Sequence, residues 1–394
     1  MTTRRVVLLV GALAAATYTA TAARTIARER EAAQGIEEDS ARAGPDSARV
    51  AKLLDALGKT DRLICDLVAD QLGNFWWDGD RHGLGAFADA VPASRAAKDS
   101  LGGHVRDPRA IVLLSSSLRA EDPCVRRIAA KMLGHSAAKT DQIARLLEDP
   151  APRVREAAAY ALGSGERLEA RAALEKNLGG GDGALAAMSA WALAEIHDSA
   201  SVPAFTRALR AANVQVRLGA ARGLAEVKDE RTLPDLERSL RGDAEGAVRA
   251  GAAYAIGEIG AEASAGVLAQ ALGDANTEVR YSAARALGEL HDLRKAPDAL
   301  VRAASAGDAR LQKLAAHALA EIHDPATVDA LIGLLASADR EVRLHAVQAL
   351  GEIRSSKASP GLMKALKDPD AEVRKAAAEA LGEMREAKGE GHGR

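Results

Sequence analysis

The stretch ALAEIHDPATVDALIGLLASADREVRLHAVQALGEI, Ala318 to Ile353, decides the architecture, because it closes on nearly the same five residues with which it opens. Between those two copies lie an apolar run around Leu331, a polar turn ending at Asp339, and a second apolar run that opens at Val342 and reaches Leu350. Two apolar runs, each about a dozen residues long and separated by turn-forming residues, read as a pair of short helices. Helices of that length are marginal alone in water, so such a pair must be stabilised by stacking on other pairs.

Those other pairs are present. Aligned on the apolar residue that opens each second helix, the chain falls into register at Val125, Val154, Leu185, Val216, Val248, Val279, Leu311, Val342 and Val373, with spacings of 29, 31, 31, 32, 31, 32, 31 and 31. Eight positions after each opening residue comes Leu133, Leu162, Leu193, Leu224, Ile256, Leu287, Leu319, Leu350 or Leu381, and a Gly or Ala follows every one. A fixed period of this kind marks a stacked helical array rather than a globular core. Pro203, Pro234, Pro297 and Pro360 sit early in first helices, where proline is tolerated. Gly134, Gly163, Gly257, Gly288, Gly351 and Gly382 are read as left-handed closing residues of second helices.

Residues 47–104 fit the same register less regularly. Val50, Leu53, Leu54 and Leu57 supply a first helix, Ile64 precedes Leu72-Gly73 by eight, and Ala93 precedes Leu101-Gly102 by eight. They bring the array to about eleven units. Phe75-Trp76-Trp77, with Gly79, Gly83 and Gly85 behind it, reads as an irregular insertion.

Composition agrees with close helix packing. Hydrophobic residues form 47% of the chain but aromatics only 3%, so the apolar content is carried by Ala, Leu and Val. With 53 Lys and Arg against 55 Asp and Glu, nothing draws the chain as a whole to nucleic acid or anionic lipid. Cys65 and Cys124 form neither a CxxC nor a Cys/His cluster, which indicates no zinc site and no disulfide framework and leaves a single Cys65–Cys124 bridge open. Arg4 and Arg5 precede an uncharged stretch from Val6 to Ala23, the layout of a bacterial signal peptide. Residues 1–22 are thus either cleaved after Ala22 or kept as an inner-membrane anchor, and both place the protein in or facing the periplasm. Residues 23–46 read as a charged linker, 105–384 as the regular array, and 385–394 as a disordered tail.

The segment from Ala318 to Ile353 resembles the HEAT repeat of the phycobilisome-lyase-like subgroup. That resemblance implies an all-α fold, an α-solenoid of stacked two-helix repeats in a right-handed superhelix, with the second helices lining a concave surface. It leaves function open, since bilin lyases, an iron-dependent hydroxylase and scaffolds share the fold. The hydroxylases of this fold carry His-Glu pairs in their helices, and no His-Glu dipeptide occurs here. Three His-Asp pairs do occur, His197-Asp198, His291-Asp292 and His323-Asp324, at equivalent positions past the second helix. Each His is read as a turn residue in the place Gly260 takes elsewhere, with the Asp capping the next first helix. A shared metal is disfavoured because neighbouring units lie about 8–10 Å apart. No metal, cofactor or catalytic residue is expected.

Direction around the second helix sorts the remaining side chains. With the opening residue at zero and about 100° per residue, the apolar positions +4, +5, +7, +8 and +11 fall at roughly 40°, 140°, 340°, 80° and 20°. The arginines at +1 (Arg126, Arg155, Arg217, Arg249, Arg280, Arg343, Arg374) lie at roughly 100°, inside that arc, and read as an interior ladder between units. The glutamates at +10 (Glu195, Glu226, Glu258, Glu289, Glu321, Glu352, Glu383) point away from the core and read as a solvated acidic row. Position +6, nearly opposite the arc, carries Lys131, Tyr160, Trp191, Arg222, Tyr254, Arg285, His317, Gln348 and Glu379. Tyr, Trp and Arg dominate binding hot spots, so Tyr160, Trp191, Arg222, Tyr254, Arg285 and His317 are the candidate partner contacts, with Trp76 and Trp77 a second group. The expected function is a non-catalytic scaffold holding a protein or peptide on the concave face. The alternative is a lyase-like or redox enzyme with a cofactor in that groove. No nucleic-acid partner is expected, and membrane contact only through an uncleaved anchor.

Overall fold

The computed structural model describes residues 46–58 and 105–390, and every regular element among them is helical. The signal segment, most of the linker, Cys65 and the aromatic insertion lie outside the described residues, so the two additional N-terminal units are described only through their first helix. No described helix is long and apolar enough to cross a membrane. The described residues belong to two compact units, 46–58 with 105–139, and 140–390.

In the first unit, α1 (Ser47–Leu57) packs on α2 (Pro108–Ser117) and α3 (Pro123–Gly134). Val50, Leu54 and Leu57 are buried at helical spacing, together with Leu114, Ile128 and Leu133. Asp107 joins the helix starts: its carboxylate accepts from the Ser47 and Arg109 amides, each at 2.9 Å. Cys124, in the first turn of α3, is half of a disulfide, and the chain has one other cysteine, Cys65.

The second unit is a single-file α-solenoid. Its first helices are α4 (Thr140–Arg145), α6 (Arg171–Leu178), α8 (Val202–Ala208), α10 (Leu233–Gly242), α12 (Ala265–Ala271), α14 (Asp298–Ala304), α16 (Val328–Leu334) and α18 (Ser359–Ala365). Alternating with them are the second helices α5 (Pro152–Ser164), α7 (Gly183–Ile196), α9 (Val214–Val227), α11 (Gly246–Ile259), α13 (Thr277–Gly288), α15 (Ala309–Ile322), α17 (Arg340–Ile353) and α19 (Ala371–Glu390). Each second helix packs on its own first helix, and consecutive second helices from α5 to α19 pack on one another. α19 continues through Glu390, where a disordered tail was expected from residue 385, because Met384–Lys388 are good helix formers that extend it without a break.

Second helices start on a repeated cap three residues before the opening apolar residue. Asp182, Asn213, Asn276, Asp308, Asp339 and Asp370 each accept from a first-turn amide at about 2.8–3.1 Å. The six glycines read as helix terminators do something else, since none of them has a positive φ. Instead four of them let second helices touch: a Cβ on Gly163, Gly257, Gly288 or Gly351 would lie 2.6–3.0 Å from Ala192, Ala286, Ala318 or Ala380 of the next helix. The left-handed corner comes three residues later, at His197, Lys228, Gly260, His323 and Arg354.

The arginine ladder is interior, as its helical angle implied. Arg217, Arg249 and Arg343 each use Nη1 to bond two carbonyls of their own turn, and Nε with Nη2 to grip an Asp of the next unit. Those acceptors, Asp243, Asp274 and Asp368, also receive an amide of their own turn, so one carboxylate joins two units and shapes a loop. Arg280 keeps the two turn carbonyls through Nη1, but its Nη2 bonds Thr277 in place of a carboxylate in the next unit. There Tyr281 substitutes, donating to Asp308 at 2.8 Å under the Arg310 guanidinium.

Candidate binding surface

The +6 positions lie on the side of the second helices turned away from the first-helix layer, but they are not uniformly solvated. Tyr160 is buried at 1% exposure, and its ring stacks on that of Trp191 with centroids 5.1 Å apart and planes at 29°. This corrects the expected exposure of Tyr160: beside the small Ala157, Ala159, Ala161 and Gly163, a large ring folds over the ridge and fills space between helices. Trp191, Arg222, Tyr254 and Arg285 are half-buried, and His317, Gln348 and Glu379 are exposed. The row therefore opens toward its C-terminal end.

The acidic row is likewise not simply solvated. Glu195 accepts from Arg222 Nη2 at 2.6 Å, His197 Nε2 lies 3.4 Å from Glu226, and Lys228 reaches Glu258 at 3.0 Å, each pair crossing from one unit to the next. Glu195, Glu226, Glu258 and Glu289 are half-buried, while Glu321, Glu352 and Glu383 are exposed. The correction has a plain cause. Position +10 lies between a +12 cation of the preceding unit, as in His197–Glu226 and Lys228–Glu258, and the +6 side chain of the following unit, as in Glu195–Arg222.

Within this network the surroundings of His197, Glu226 and Tyr254 shift their pKa values. The Nδ1 of His197 lies 2.6 Å from the Glu195 carbonyl and must carry a hydrogen there. Nε2 faces a carboxylate, so a second hydrogen is favoured. The Glu226 hydrogen bond, the largest influence, raises the His197 pKa while partial burial opposes it, and the same bond lowers that of Glu226. Burial, reinforced by Glu258 and Glu226, pushes the Tyr254 hydroxyl up to about 12. Arg285 lies over the Tyr254 ring at 5.5 Å and near Glu289 at 3.8 Å. From Trp191 to Arg285 the face is thus a run of neutralised pairs and packed rings, and Arg285, His317 and Gln348 are its accessible polar groups.

His197 and His323 occupy left-handed corners with φ of 54° and 55°, and Asp198 and Asp324 cap the short turn that follows, accepting from Ala200 and Ala326. His291 departs from this pattern. α13 ends early at Gly288, and the irregular stretch that follows runs to Pro297, so the third His-Asp pair is not equivalent to the others. Among the described residues no group of three or more His, Cys, Asp and Glu side chains is arranged to hold a metal ion. Trp76 and Trp77 lie outside the described residues. Sequence reading missed the pairing of +12 with the next +10. The signal was there as a cation or Gly at every +12 position from His197 to Arg385.

A family model described as HEAT repeats matches residues 88–163, 111–182, 170–257, 238–320, 265–340 and 328–389. No curated protein sequence matches the chain. Among solved structures, an engineered protein is similar at 24% identity and a TM-score of 0.43, covering 85% of this chain and 98% of that one. Human deoxyhypusine hydroxylase, solved with glycerol, is similar at 22% identity and a TM-score of 0.30, covering 63% of this chain and 96% of that one. The Escherichia coli protein YibA is similar at 19% identity and a TM-score of 0.48, covering 68% of this chain and 98% of its own.

Proposed function

Because the chain belongs to the HEAT-repeat family, we propose that it is a non-catalytic scaffold that binds a protein or peptide along the concave face formed by its second helices. The observation that carries this reading is the gradient along the +6 row. Its N-terminal members are spent on packing and ion pairs, whereas His317 and Gln348 stand exposed beside a half-buried Arg285 and Tyr254. An extended partner finds there a cation, an aromatic edge and hydrogen-bonding groups at successive units, the mixture that suits peptide recognition. Arg285, Tyr254, His317 and Gln348 are the contacts favoured, with Trp191 presenting one edge. The finer kinship, to the phycobilisome-lyase-like subgroup, is supported by the Ala318–Ile353 repeat itself.

Export to the periplasm is part of the same proposal. It is supported by the Arg4-Arg5 segment with its apolar continuation and by the disulfide at Cys124, which suits an oxidising compartment. Fractionation of the native host tests it, with recovery in the cytosol the opposing outcome.

Photo-crosslinking tests the binding face without disturbing the fold. A photoreactive residue placed at His317 or Gln348 should yield one discrete adduct in the native cell, and the same residue at Val112 or Leu168, both exposed elsewhere, should yield none. Adducts from the latter pair alone would move the binding surface off the second helices.

A further inference from the structure

The contact between the pair α16–α17 and the pair α18–α19 has ionic, glycine-seat and apolar parts. Arg343 reaches forward to both carboxylate oxygens of Asp368, and Arg354 to Glu383 at 3.8 Å. The bare backbone of Gly351 seats Ala380, while Ile332 and Leu335 lie under Gly361. One repeat later the corresponding residues are Arg374, Arg385, Gly382, Met363 and Leu366. Among the described residues nothing covers them. Arg374 bonds the Asp368 and Pro369 carbonyls at 2.7 and 2.9 Å, yet it is exposed and meets no carboxylate of a following unit. A Cβ on Gly382 would meet nothing within 4 Å. Met363 is 57% and Leu366 39% exposed, and Arg385 is exposed.

From this geometry we infer that the open face of α18 and α19 docks a helical hairpin of another protein, one with carboxylates opposite Arg374 and Arg385 and a small residue opposite Gly382. The surface continues the interface the array already uses between its own units, which fixes the shape it accepts. Its charges fix the partner. Inside the array some pairs run backward, as Arg222–Glu195 and Arg310–Glu278 do. At the two positions that Arg374 and Arg385 repeat, however, the cation faces forward and meets an Asp or Glu of the next unit, so a hairpin that seats here carries carboxylates opposite those two arginines. Two copies of this chain meeting by this face would set Arg374 and Arg385 against themselves, and like charges at a contact are repelled. Met363 and Leu366 form the apolar centre around which those charges orient the partner.

The probe is a synthetic, stapled hairpin of residues 355–390, which carries Asp368 and Glu383 and is established as helical by circular dichroism before use. Labelled and titrated with the full chain, it should bind saturably. Arg374→Glu with Arg385→Glu should weaken binding at least tenfold, as should Gly382→Phe. A probe carrying Asp368→Lys and Glu383→Lys should bind the charge-reversed chain better than the native one. The substitutions fall on exposed positions; Arg374→Glu gives up two turn carbonyl bonds, so a small drop in melting temperature is expected, and an unchanged helical circular dichroism spectrum at the assay temperature confirms an intact array. Absent or non-saturable binding, or binding indifferent to all these changes, overturns the inference. So does concentration-dependent dimerisation of the native chain, seen by light scattering and abolished by Gly382→Phe, because the occupant would then be a second copy.

Discussion

Arg343 holds Asp368 of the next unit by two bonds, Nε to Oδ2 at 2.8 Å and Nη2 to Oδ1 at 3.0 Å, while its Nη1 holds the carbonyls of Ser337 and Ala338. One side chain thus closes its own turn and fastens the following repeat. Both partners are largely shielded from water, so Arg343→Ala leaves a carboxylate and two carbonyls short of donors. A loss of about 2–3 kcal/mol in urea unfolding is expected. Arg280→Ala, which removes the turn bonds but no bridging carboxylate, should cost about 1 kcal/mol. Equal losses would show that the bridge to Asp368 adds nothing.

Gly257 and Gly382 occupy the same repeat position with opposite surroundings. A Cβ on Gly257 would sit 2.8 Å from the Cα of Ala286, whereas on Gly382 it would meet nothing. Gly257→Ala should therefore destabilise by about 1–3 kcal/mol through overpacking, and Gly382→Ala should stabilise by about 0.5–1 kcal/mol through helix propensity. Thermal melts of the two variants decide it, and a matching sign would refute the assigned role of the glycine.

Trp191→Ala should lower stability by about 2 kcal/mol or more, because it removes the ring on which the buried Tyr160 stacks. His317→Ala, on an exposed position of the same row, should leave the melting temperature unchanged. A Trp191→Ala protein that melts like wild type would return this residue to the accessible surface.

His197 supplies a pH test. Its pKa is raised in the folded chain, so its pairing with Glu226 is fully present below the ordinary histidine value of 6.5 and is lost as pH rises through the folded value. Glu226 is lowered, so its share is present above 4.5 and is lost on acidification below that. His197→Gly keeps the left-handed corner and removes the imidazole. The stability gap between wild type and this variant should be larger at pH 6 than at pH 8.5, and a gap independent of pH would exclude the pairing.

The period of the chain, the alternation of helices and the interior direction of the arginines were legible because each follows from one helical angle repeated many times. Tyr160 and Glu226 were misread for a shared reason. A wheel drawn for one helix shows which side faces away from the core, but not what the adjacent unit brings there. Position +6 lies outside the apolar arc, yet Trp191 of the next repeat covers Tyr160. The glycines failed differently. Gly351 sits two residues before the end of α17, so composition alone suggests a terminator, and only the seat it makes for Ala380 shows that it is a contact point. The irregular stretch after α13 was hidden because the repeat spacing across it, 32, hardly differs from the others.

The pairs Arg222–Glu195, His197–Glu226 and Lys228–Glu258 each span a boundary between units, on the side farthest from the first-helix layer. Any flexing that spreads the second helices must lengthen these pairs before it disturbs the glycine–alanine seats nearer the core. Their charges are partly open to solvent, so dissolved ions weaken them over a Debye length of about 8 Å at physiological ionic strength. Salt should consequently act on the elasticity of the array more than on its folding: a stiff spring in dilute buffer, a compliant one in brine.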